Sequence, residues 1–244
     1  MSQTPDISVV VPAYNEAGNV VPLAREIAAA LEGRNFEILF VDDCSTDDTR
    51  AELIAAKVEL PMLRVIGHRN NAGQSRSVRT GVMHARGAIV ATLDGDGQNP
   101  PDGLPIVIDA LMRADAPENL ALVGGDRSQN RQDSAWKKFA SRFGNGIRKR
   151  MLNDNCNDTG CGLKAFKRQV YLQLPFFDHQ HRFLPALMNR EGYLCEFRPV
   201  SHRHRTIGSS KYTNFGRLFA SLTDMMGMMW LNSRARNPRG SDEL

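Results

Sequence analysis

The sequence predicts an α/β fold: a mostly parallel sheet flanked by helices, followed by a C-terminal amphipathic helix. Two observations support this prediction. Short runs of β-branched and other apolar residues alternate with helical patterns through the first half of the chain, which is typical of a parallel sheet covered on both faces. From Asn214 onward, apolar residues recur at spacings of three and four, the pattern of one apolar helix face.

Each element of the first half follows from its local pattern. Strands are expected at 7–11, 36–41, 62–66, 88–93 and 120–123, where the apolar runs are short. Helices are expected between them, at 20–31, 48–57, 74–85 and 104–112. Ligands of such sheets bind beyond the carboxyl ends of the strands. The loops after the first, second, fourth and fifth strands are therefore expected to hold the functional site.

The second half of the chain has a different character. A basic helical pattern over 135–152 is followed by a Gly- and Asn-rich loop at 153–162, a helix near 182–191 and a strand near 196–200. We therefore expect one main domain at 1–212, followed by an amphipathic helix and a basic tail at 213–244.

The apolar residues of the C-terminal helix share one face. They are Phe215, Leu218, Phe219, Leu222, Met225, Met226, Met229 and Trp230. This face has two interpretations. It packs against protein, or it lies in a membrane interface, with Arg217 extending toward the lipid headgroups and Trp230 at their depth. Arg234, Arg236 and Arg239 follow the helix, and such a basic tail suits an anionic lipid surface.

The composition excludes several classes of protein. The chain has 244 residues and is 41% hydrophobic, which is too apolar for a disordered chain. Its four cysteines form no C-x-x-C pair, which argues against a zinc site and favours a reduced, cytosolic protein. No secretory signal opens the sequence, and no apolar run is long enough to predict a transmembrane helix. We expect a soluble protein, or one that at most lies on a membrane.

Acidic residues follow three of the predicted strands. The first strand leads to Glu16, the second to Asp42, and the fourth to Asp94 and Asp96. Clustered carboxylates repel one another and are costly to desolvate, so they need a counter-ion or a hydrogen-bonding ligand. Mg²⁺ and Mn²⁺ prefer oxygen ligands and commonly bridge carboxylates to substrate phosphates. Asp94 and Asp96, separated by a flexible glycine, are therefore predicted to bind such a cation.

Other kinds of nucleotide and nucleic-acid site fit the sequence poorly. The first strand–helix loop lacks G-x-G-x-x-G, and no G-x-x-x-x-G-K-[ST] P-loop occurs. The net charge of +4 permits nucleic-acid binding. However, the aromatic residues, only 7% of the chain, do not interleave with the basic stretches as stacking platforms would. We therefore expect no nucleic-acid partner.

Eight ordered segments carry a resemblance to a known family. They are PAYNE at 12–16, VDDCSTDDT at 41–49, the Asn71-to-Gly81 pattern, ATLDGDGQNPP at 91–101, GGDR at 124–127, SRFGN at 141–145, DTGCGLK at 158–164 and GSSKY at 208–212. Together they resemble the inverting family 2 glycosyltransferases of GT-A (Rossmann-like) fold. The later segments resemble the dolichol-phosphate mannosyltransferases and their bacterial polyprenyl-phosphate counterparts. The similarity covers roughly residues 5–232, so the main domain is expected to be the catalytic domain.

On the donor side, the resemblance implies three groups of binding residues. Pro12, Tyr14, Glu16 and Asp42 would cradle the nucleoside; Asp94, Asp96 and Gln98 would hold Mg²⁺ or Mn²⁺; Arg205 and Lys211 would close over the diphosphate. The cation would bridge the diphosphate and stabilise charge on the leaving nucleotide. Asp94 thereby also contacts the nucleotide-sugar, and Asp96 becomes a candidate catalytic residue.

On the acceptor side, the resemblance implies that Arg127, Lys137 and Ser141 bind a lipid phosphate. The charge pattern agrees, because residues 127–150 include eight Lys or Arg and one acid. Asp158 matches the acid often proposed as the catalytic base of this family. A phosphomonoester has its second pKa near 6, however, so the acceptor is already largely ionised at neutral pH. Two roles stay open for Asp158: a base, or a group that orients the acceptor or a basic neighbour.

The predicted reaction is metal-dependent transfer of a sugar from a UDP- or GDP-sugar to undecaprenyl- or dolichyl-type polyprenyl phosphate, with inversion. Its product would be a lipid-phosphate-linked sugar donor for cell-envelope glycan or lipid modification. The alternative is a family 2 enzyme acting on a different glycan or lipid acceptor. We expect the protein at the cytoplasmic face of the membrane. Self-association and a separate integral membrane protein are further partnerships that the prediction allows.

Overall fold

The computed structural model describes residues 4–128, 152, 154, 156–203 and 214–236, and in the last range it describes the side chains from residue 223 onward. Its strands are β1 (Ile7–Ala13), β2 (Phe36–Asp42), β3 (Leu63–Gly67), β4 (Ile89–Thr92), β5 (Leu120–Asp126), β6 (Lys164–Lys167) and β7 (Leu194–Pro199). Its helices are α1 (Val20–Ala30), α2 (Thr49–Ala56), α3 (Gln74–His84), α4 (Gly103–Met112), α5 (Arg168–Gln173), α6 (Leu184–Arg190) and α7 (Asn214–Ser233), with a short 3₁₀ helix at Gln180–Arg182.

The described strands form one seven-stranded sheet in the order β3-β2-β1-β4-β6-β5-β7. The neighbours of β1 and β2 are parallel, as is the β5–β7 pair. β6 lies antiparallel between β4 and β5. The predicted mostly parallel α/β sheet is therefore confirmed, and the predicted elements of the first half agree with the structure to within three residues at each end.

The sheet is covered on both faces because its central strand is apolar on both sides. In β1, Val9 and Val11 point to the face covered by α1, α2 and α4, whereas Val10 points to the opposite face. The opposite face is covered by α3, α5 and α6. All three valines are fully buried. A continuous apolar run of this kind is what a strand buried on both faces requires.

Two elements of the second half do not appear in the sequence prediction. β6 and α5 follow the Gly- and Asn-rich loop, and β6 has only four residues, with a lysine at each end. A strand of four residues that begins and ends with lysine contains too few apolar residues to show a periodic pattern. The predicted helix near 182–191 divides into the 3₁₀ turn and α6. Most of the predicted basic helix at 135–152 lies outside the described residues.

Helix α7 packs its described part against the same face as α3. Met228 is almost fully buried in that apolar cluster, and Asp224 Oδ2 lies 2.7 Å from His179 Nδ1. The backbone carbonyl of Leu231 accepts a hydrogen bond from Arg190 Nε at 3.3 Å. No helix in the described part of the chain is both long and apolar enough to cross a membrane.

Candidate active site

A cavity of about 1130 Å³ opens beyond the carboxyl ends of β1 and β4. Ligands of α/β sheets bind at this edge. The cavity is lined by the loops after β1, β2 and β4, the first turns of α3, segment 159–164 and the residues ahead of α6. Among its lining residues are Pro12, Tyr14, Glu16, Asp94, Asp96 and Gln98. The structure therefore brings these donor-side candidates together, although their individual roles stay predictions.

Asp94 is held by two amide side chains. Gln74 Nε2, from the first residue of α3, donates to Oδ1 at 2.8 Å. Asn99 Nδ2 donates to Oδ2 at 3.1 Å. Burial and the neighbouring charge of Asp96 raise the pKa of the Asp94 carboxyl to about 6. The orientation of the carboxylate is thus fixed from both sides, while its desolvation favours a nearby positive charge.

Two glycines allow close packing around this carboxylate. A Cβ at Gly95 would lie 2.6 Å from the carbonyl oxygen of Pro12, so the loop after β4 packs directly on the end of β1. Gly95 is therefore a close-packing residue rather than the flexible spacer that the sequence suggested. A Cβ at Gly162 would overlap all three atoms of the Asp94 carboxylate. The backbone of segment 159–164 thus closes one side of the Asp94 site.

The oxygen donors of this loop suit Mg²⁺ or Mn²⁺. Asp94 and Asp96 supply two carboxylates, and Gln98, whose amide carries a further oxygen, lines the same cavity. Among the described residues, no three His, Cys, Asp or Glu side chains are grouped as a metal site. Ions of this kind commonly bind through one or two carboxylates and complete their coordination with water and substrate phosphates. The residues present therefore fit a cation that is shared with a bound diphosphate.

The two acids at the end of β2 have different surroundings. The Asp42 side chain is fully buried and accepts hydrogen bonds from Arg50 Nε at 2.6 Å and the Ser45 backbone N–H at 3.1 Å. Asp43, in contrast, is among the residues that line the cavity, and Asp42 is not. A contact between Asp42 and the nucleoside stays a prediction. Its observed contacts are those of an anchor for the loop after β2.

Asp43 organises the turn that leads into α3. Its carboxylate accepts the backbone N–H groups of Ala72 at 2.9 Å and Gly73 at 2.8 Å, and it lies 2.7 Å from His68 Nδ1. Because Gln74 follows immediately, this acid also sets the position of an amide that holds Asp94. Asp43 is thus a site residue that the sequence analysis did not select.

On the acceptor side, Arg127 and Asp158 form a bidentate ion pair. Nε lies 2.7 Å from Oδ2, and Nη2 lies 3.1 Å from Oδ1. Both side chains are nearly buried, with 12% and 7% of their surface exposed. Arg127 Nη1 also lies 3.5 Å from Asn99 Oδ1. The contact that an orienting role of Asp158 requires is therefore present.

The far wall of the cavity contains a partly buried histidine and a buried lysine. His181 Nδ1 lies 2.6 Å from Ser75 Oγ, and burial together with the charge of Lys164 lowers the His181 pKa to about 3. The His181 ring is therefore neutral at physiological pH. Lys164 is 5% exposed, and its ammonium donates to the Cys161 carbonyl. Neither residue was selected from sequence, because only the folded chain brings segment 161–181 to the start of α3.

Lys137, Ser141, Arg205 and Lys211 lie outside the described residues. The described chain reaches Arg203, whose backbone N–H donates to the Gln98 carbonyl at 3.1 Å and whose guanidinium pairs with Glu26 at 2.9 Å. Arg203, two positions before Arg205, therefore lies against the loop that carries Asp96.

Fold and sequence together define the class of this protein. Residues 8–174 match glycosyl transferase family 2. The chain belongs to this family, as the sequence motifs predicted.

Comparison with individual proteins identifies a particular group of relatives. The chain is 35% identical to the undecaprenyl-phosphate 4-deoxy-4-formamido-L-arabinose transferase of Klebsiella pneumoniae, over 90% of this chain and 66% of the relative. It is 36% identical to the corresponding transferase of Sodalis glossinidius, over 85% of this chain and 63% of the relative. The chain thus spans just under two thirds of the length of these curated relatives.

Solved structures confirm the GT-A fold. A glucosyl-3-phosphoglycerate synthase from Mycobacterium tuberculosis, in complex with UDP, superposes with a TM-score of 0.68 at 17% identity, covering 96% of this chain and 82% of that one. A mannosyltransferase from Pyrobaculum calidifontis, in complex with GDP-Man and Mn²⁺, gives a TM-score of 0.64 at 17% identity, covering 99% and 66%. At these identities the likeness establishes the fold alone.

Proposed function

We propose that the protein transfers a sugar from a UDP- or GDP-sugar to a polyprenyl phosphate, with inversion at the anomeric carbon. The observation that carries this proposal is Arg127, an oriented guanidinium beside the acidic loop of the cavity. Beyond the contacts with Asp158 and Asn99, Nη1 and Nη2 each keep a further N–H, and such donors suit a phosphate group on the acceptor. The names of the relatives, which are undecaprenyl-phosphate sugar transferases, support the same acceptor.

The proposed reaction is a single in-line displacement. A phosphate oxygen of the acceptor attacks the anomeric carbon, the bond from that carbon to the donor diphosphate breaks, and the nucleoside diphosphate departs with the electron pair. Because the second pKa of a phosphomonoester is near 6, the nucleophile is already ionised and needs little deprotonation. Positioning and charge stabilisation therefore account for most of the required catalysis.

The donor diphosphate would lie over the loop after β4. Asp94, Asp96 and Gln98 would hold a divalent cation, which stabilises negative charge on the leaving nucleoside diphosphate. Tyr14 and Glu16, at the cavity wall beyond β1, would face the nucleoside. Cations bound in structures of the same fold support this arrangement: Mn²⁺ in the Pyrobaculum calidifontis mannosyltransferase, and Mn²⁺ or Mg²⁺ in further complexes of the Mycobacterium tuberculosis synthase.

A transfer assay tests the proposal. The protein is incubated with Mn²⁺ or Mg²⁺, undecaprenyl phosphate and a panel of radiolabelled UDP- and GDP-sugars, and lipid-linked radioactivity is measured after solvent extraction. We expect a lipid product with at least one donor and loss of that product on chelation of the cation. Transfer to a soluble sugar, with no lipid product from any donor, would reject the acceptor assignment.

We further propose that α7 lies on the membrane that supplies the acceptor. Its buried face packs through Met228, whereas Met226, Met229 and Trp230 on the other side are 66%, 40% and 62% exposed. These three share one helix face, and Arg234 lies near the Trp230 ring, with its guanidinium carbon 6.0 Å from the ring centroid. An exposed apolar face with a basic flank is typical of an interfacial helix.

Replacing the exposed face of α7 is expected to weaken membrane binding. In a co-sedimentation assay with phosphatidylglycerol vesicles, the triple variant M226S/M229S/W230S should bind about tenfold less tightly or worse, because three buried apolar contacts with lipid are lost. Val58→Ser is the matched control, since Val58 is 93% exposed but lies outside α7. Equal vesicle binding by the triple variant and the wild type would exclude α7 as the membrane contact.

A further inference from the structure

Asn99 is a buried polar residue for which neither the sequence motifs nor the proposed reaction provides a role. It follows the acidic loop after β4, is 1% exposed and has no charge of its own. A buried polar group without partners is costly, so the contacts of this amide define its function.

The two ends of the Asn99 amide contact the two halves of the site. Nδ2 donates to Asp94 Oδ2 at 3.1 Å, on the donor side. Oδ1 lies 3.5 Å from Arg127 Nη1, on the acceptor side. The partners also fix which end is which, because a carboxylate accepts and a guanidinium only donates. One buried amide therefore lies between a carboxylate of the cation loop and the guanidinium assigned to the acceptor phosphate.

We propose that Asn99 is a positioning residue that couples occupation of the Asp94 site to acceptor-phosphate binding at Arg127. This inference rests on the proposed function for the identity of the two ligands. A cation at Asp94 would stabilise the orientation that the carboxylate already has, and with it the hydrogen bond from Asn99 Nδ2 and the position of Oδ1 toward Arg127. The guanidinium, already paired with Asp158, is then oriented for phosphate. Binding of either ligand strengthens binding of the other, because such a coupling is reciprocal.

Gln74 provides a matched comparison within the same network. Its amide also donates to Asp94, at 2.8 Å, but it comes from α3, and among the described residues it makes no hydrogen bond to Arg127 or Asp158. Removal of Gln74 should therefore weaken the hold on Asp94 without breaking the link to Arg127. Removal of Asn99 should weaken the hold on Asp94 and also break the link to Arg127. The difference between the two variants isolates coupling from simple loss of a hydrogen bond.

The experiment measures binding rather than turnover. The affinity of the protein for farnesyl phosphate, a short prenyl phosphate, is determined by calorimetry with and without Mn²⁺ and UDP, for the wild type, Asn99→Ala, Asn99→Asp, Gln74→Ala and the surface control Asn119→Ala. In the wild type and Asn119→Ala, Mn²⁺ with UDP should tighten farnesyl phosphate binding. In both Asn99 variants this enhancement should fall about tenfold, because the linking contact is lost or, with aspartate, a like charge faces Asp94.

The Gln74 variant and the fold controls make the outcome decisive. Gln74→Ala should bind Mn²⁺ more weakly yet keep the wild-type enhancement. Thermal denaturation identifies folded variants, and the aspartate variant serves if alanine at position 99 prevents folding. An unchanged enhancement in a folded Asn99 variant would overturn the inference. If no sugar reaches a lipid in the transfer assay but the enhancement depends on Asn99, the proposed function fails while the coupling stands.

Discussion

Gly162→Ala is expected to lower kcat/KM for sugar transfer by about 10²-fold or more, although it adds a single methyl group. The new Cβ would overlap the carboxylate of Asp94. That carboxylate cannot simply rotate away, because Gln74 donates a hydrogen bond to one of its oxygens and Asn99 donates to the other. A displacement of about 1 Å in a catalytic group commonly costs this much. The affinity for Mn²⁺ should fall in parallel.

A second glycine provides the control for this substitution. A Cβ at Gly227, in α7, would meet nothing within 4 Å. Gly227→Ala should therefore retain wild-type kcat/KM. Both variants should remain folded, with the overpacking at position 162 lowering the free energy of unfolding by about 1–3 kcal/mol. Wild-type Mn²⁺ affinity and turnover in Gly162→Ala would show that Asp94 does not hold the cation.

Asp158→Asn is expected to weaken binding of the prenyl phosphate itself by about tenfold, in the absence of any donor. The reason is that both oxygens of Asp158 are paired with Arg127, so the substitution releases the guanidinium from its orientation. A catalytic base, in contrast, acts on turnover and leaves ground-state binding unchanged. Calorimetry with farnesyl phosphate, set against kcat measured at saturating acceptor, separates the two roles. Intact binding with abolished turnover would identify Asp158 as the base.

The same variant should also be less stable. Breaking a nearly buried ion pair leaves one charge uncompensated, at a cost of about 3 kcal/mol in the free energy of unfolding. The pair between Arg34 and Asp109 is also bidentate, through Nη1 and Nη2, and its acid is 61% exposed. Asp109→Asn should therefore cost less than about 1 kcal/mol. Urea denaturation of the two variants measures the difference.

The sequence predicts the first half of the fold well because each element there is an independent local pattern. Strands buried on both faces appear in the sequence as apolar runs, and the acidic residues that follow them indicate where the loops begin. β6 escapes this reasoning, since it has four residues and takes its place through pairing with β4 and β5. That pairing is a tertiary property, and the local sequence does not report it.

In the site, too, sequence motifs predict some residues, whereas the roles of others depend on contacts in the folded chain. The motifs lead directly to Asp94 and Asp96, but they do not separate Asp42, which is buried against Arg50, from Asp43, which reaches the cavity. Asn99 lies within a recognised segment, yet its role depends on an arginine 28 positions away in sequence. Contacts between distant segments decide these roles, so they become visible only in the folded chain.

The central claim is that the acceptor nucleophile is a phosphate on a polyprenyl chain. Mass spectrometry of reactions with undecaprenyl phosphate and with undecaprenol, under the same Mn²⁺ and donor conditions, tests it most directly. The two lipids share the same chain and differ only in the phosphate that Arg127 would bind. We expect a glycosylated product from undecaprenyl phosphate and none from undecaprenol. Glycosylation of undecaprenol, or of neither lipid while a soluble acceptor is used, would contradict the account.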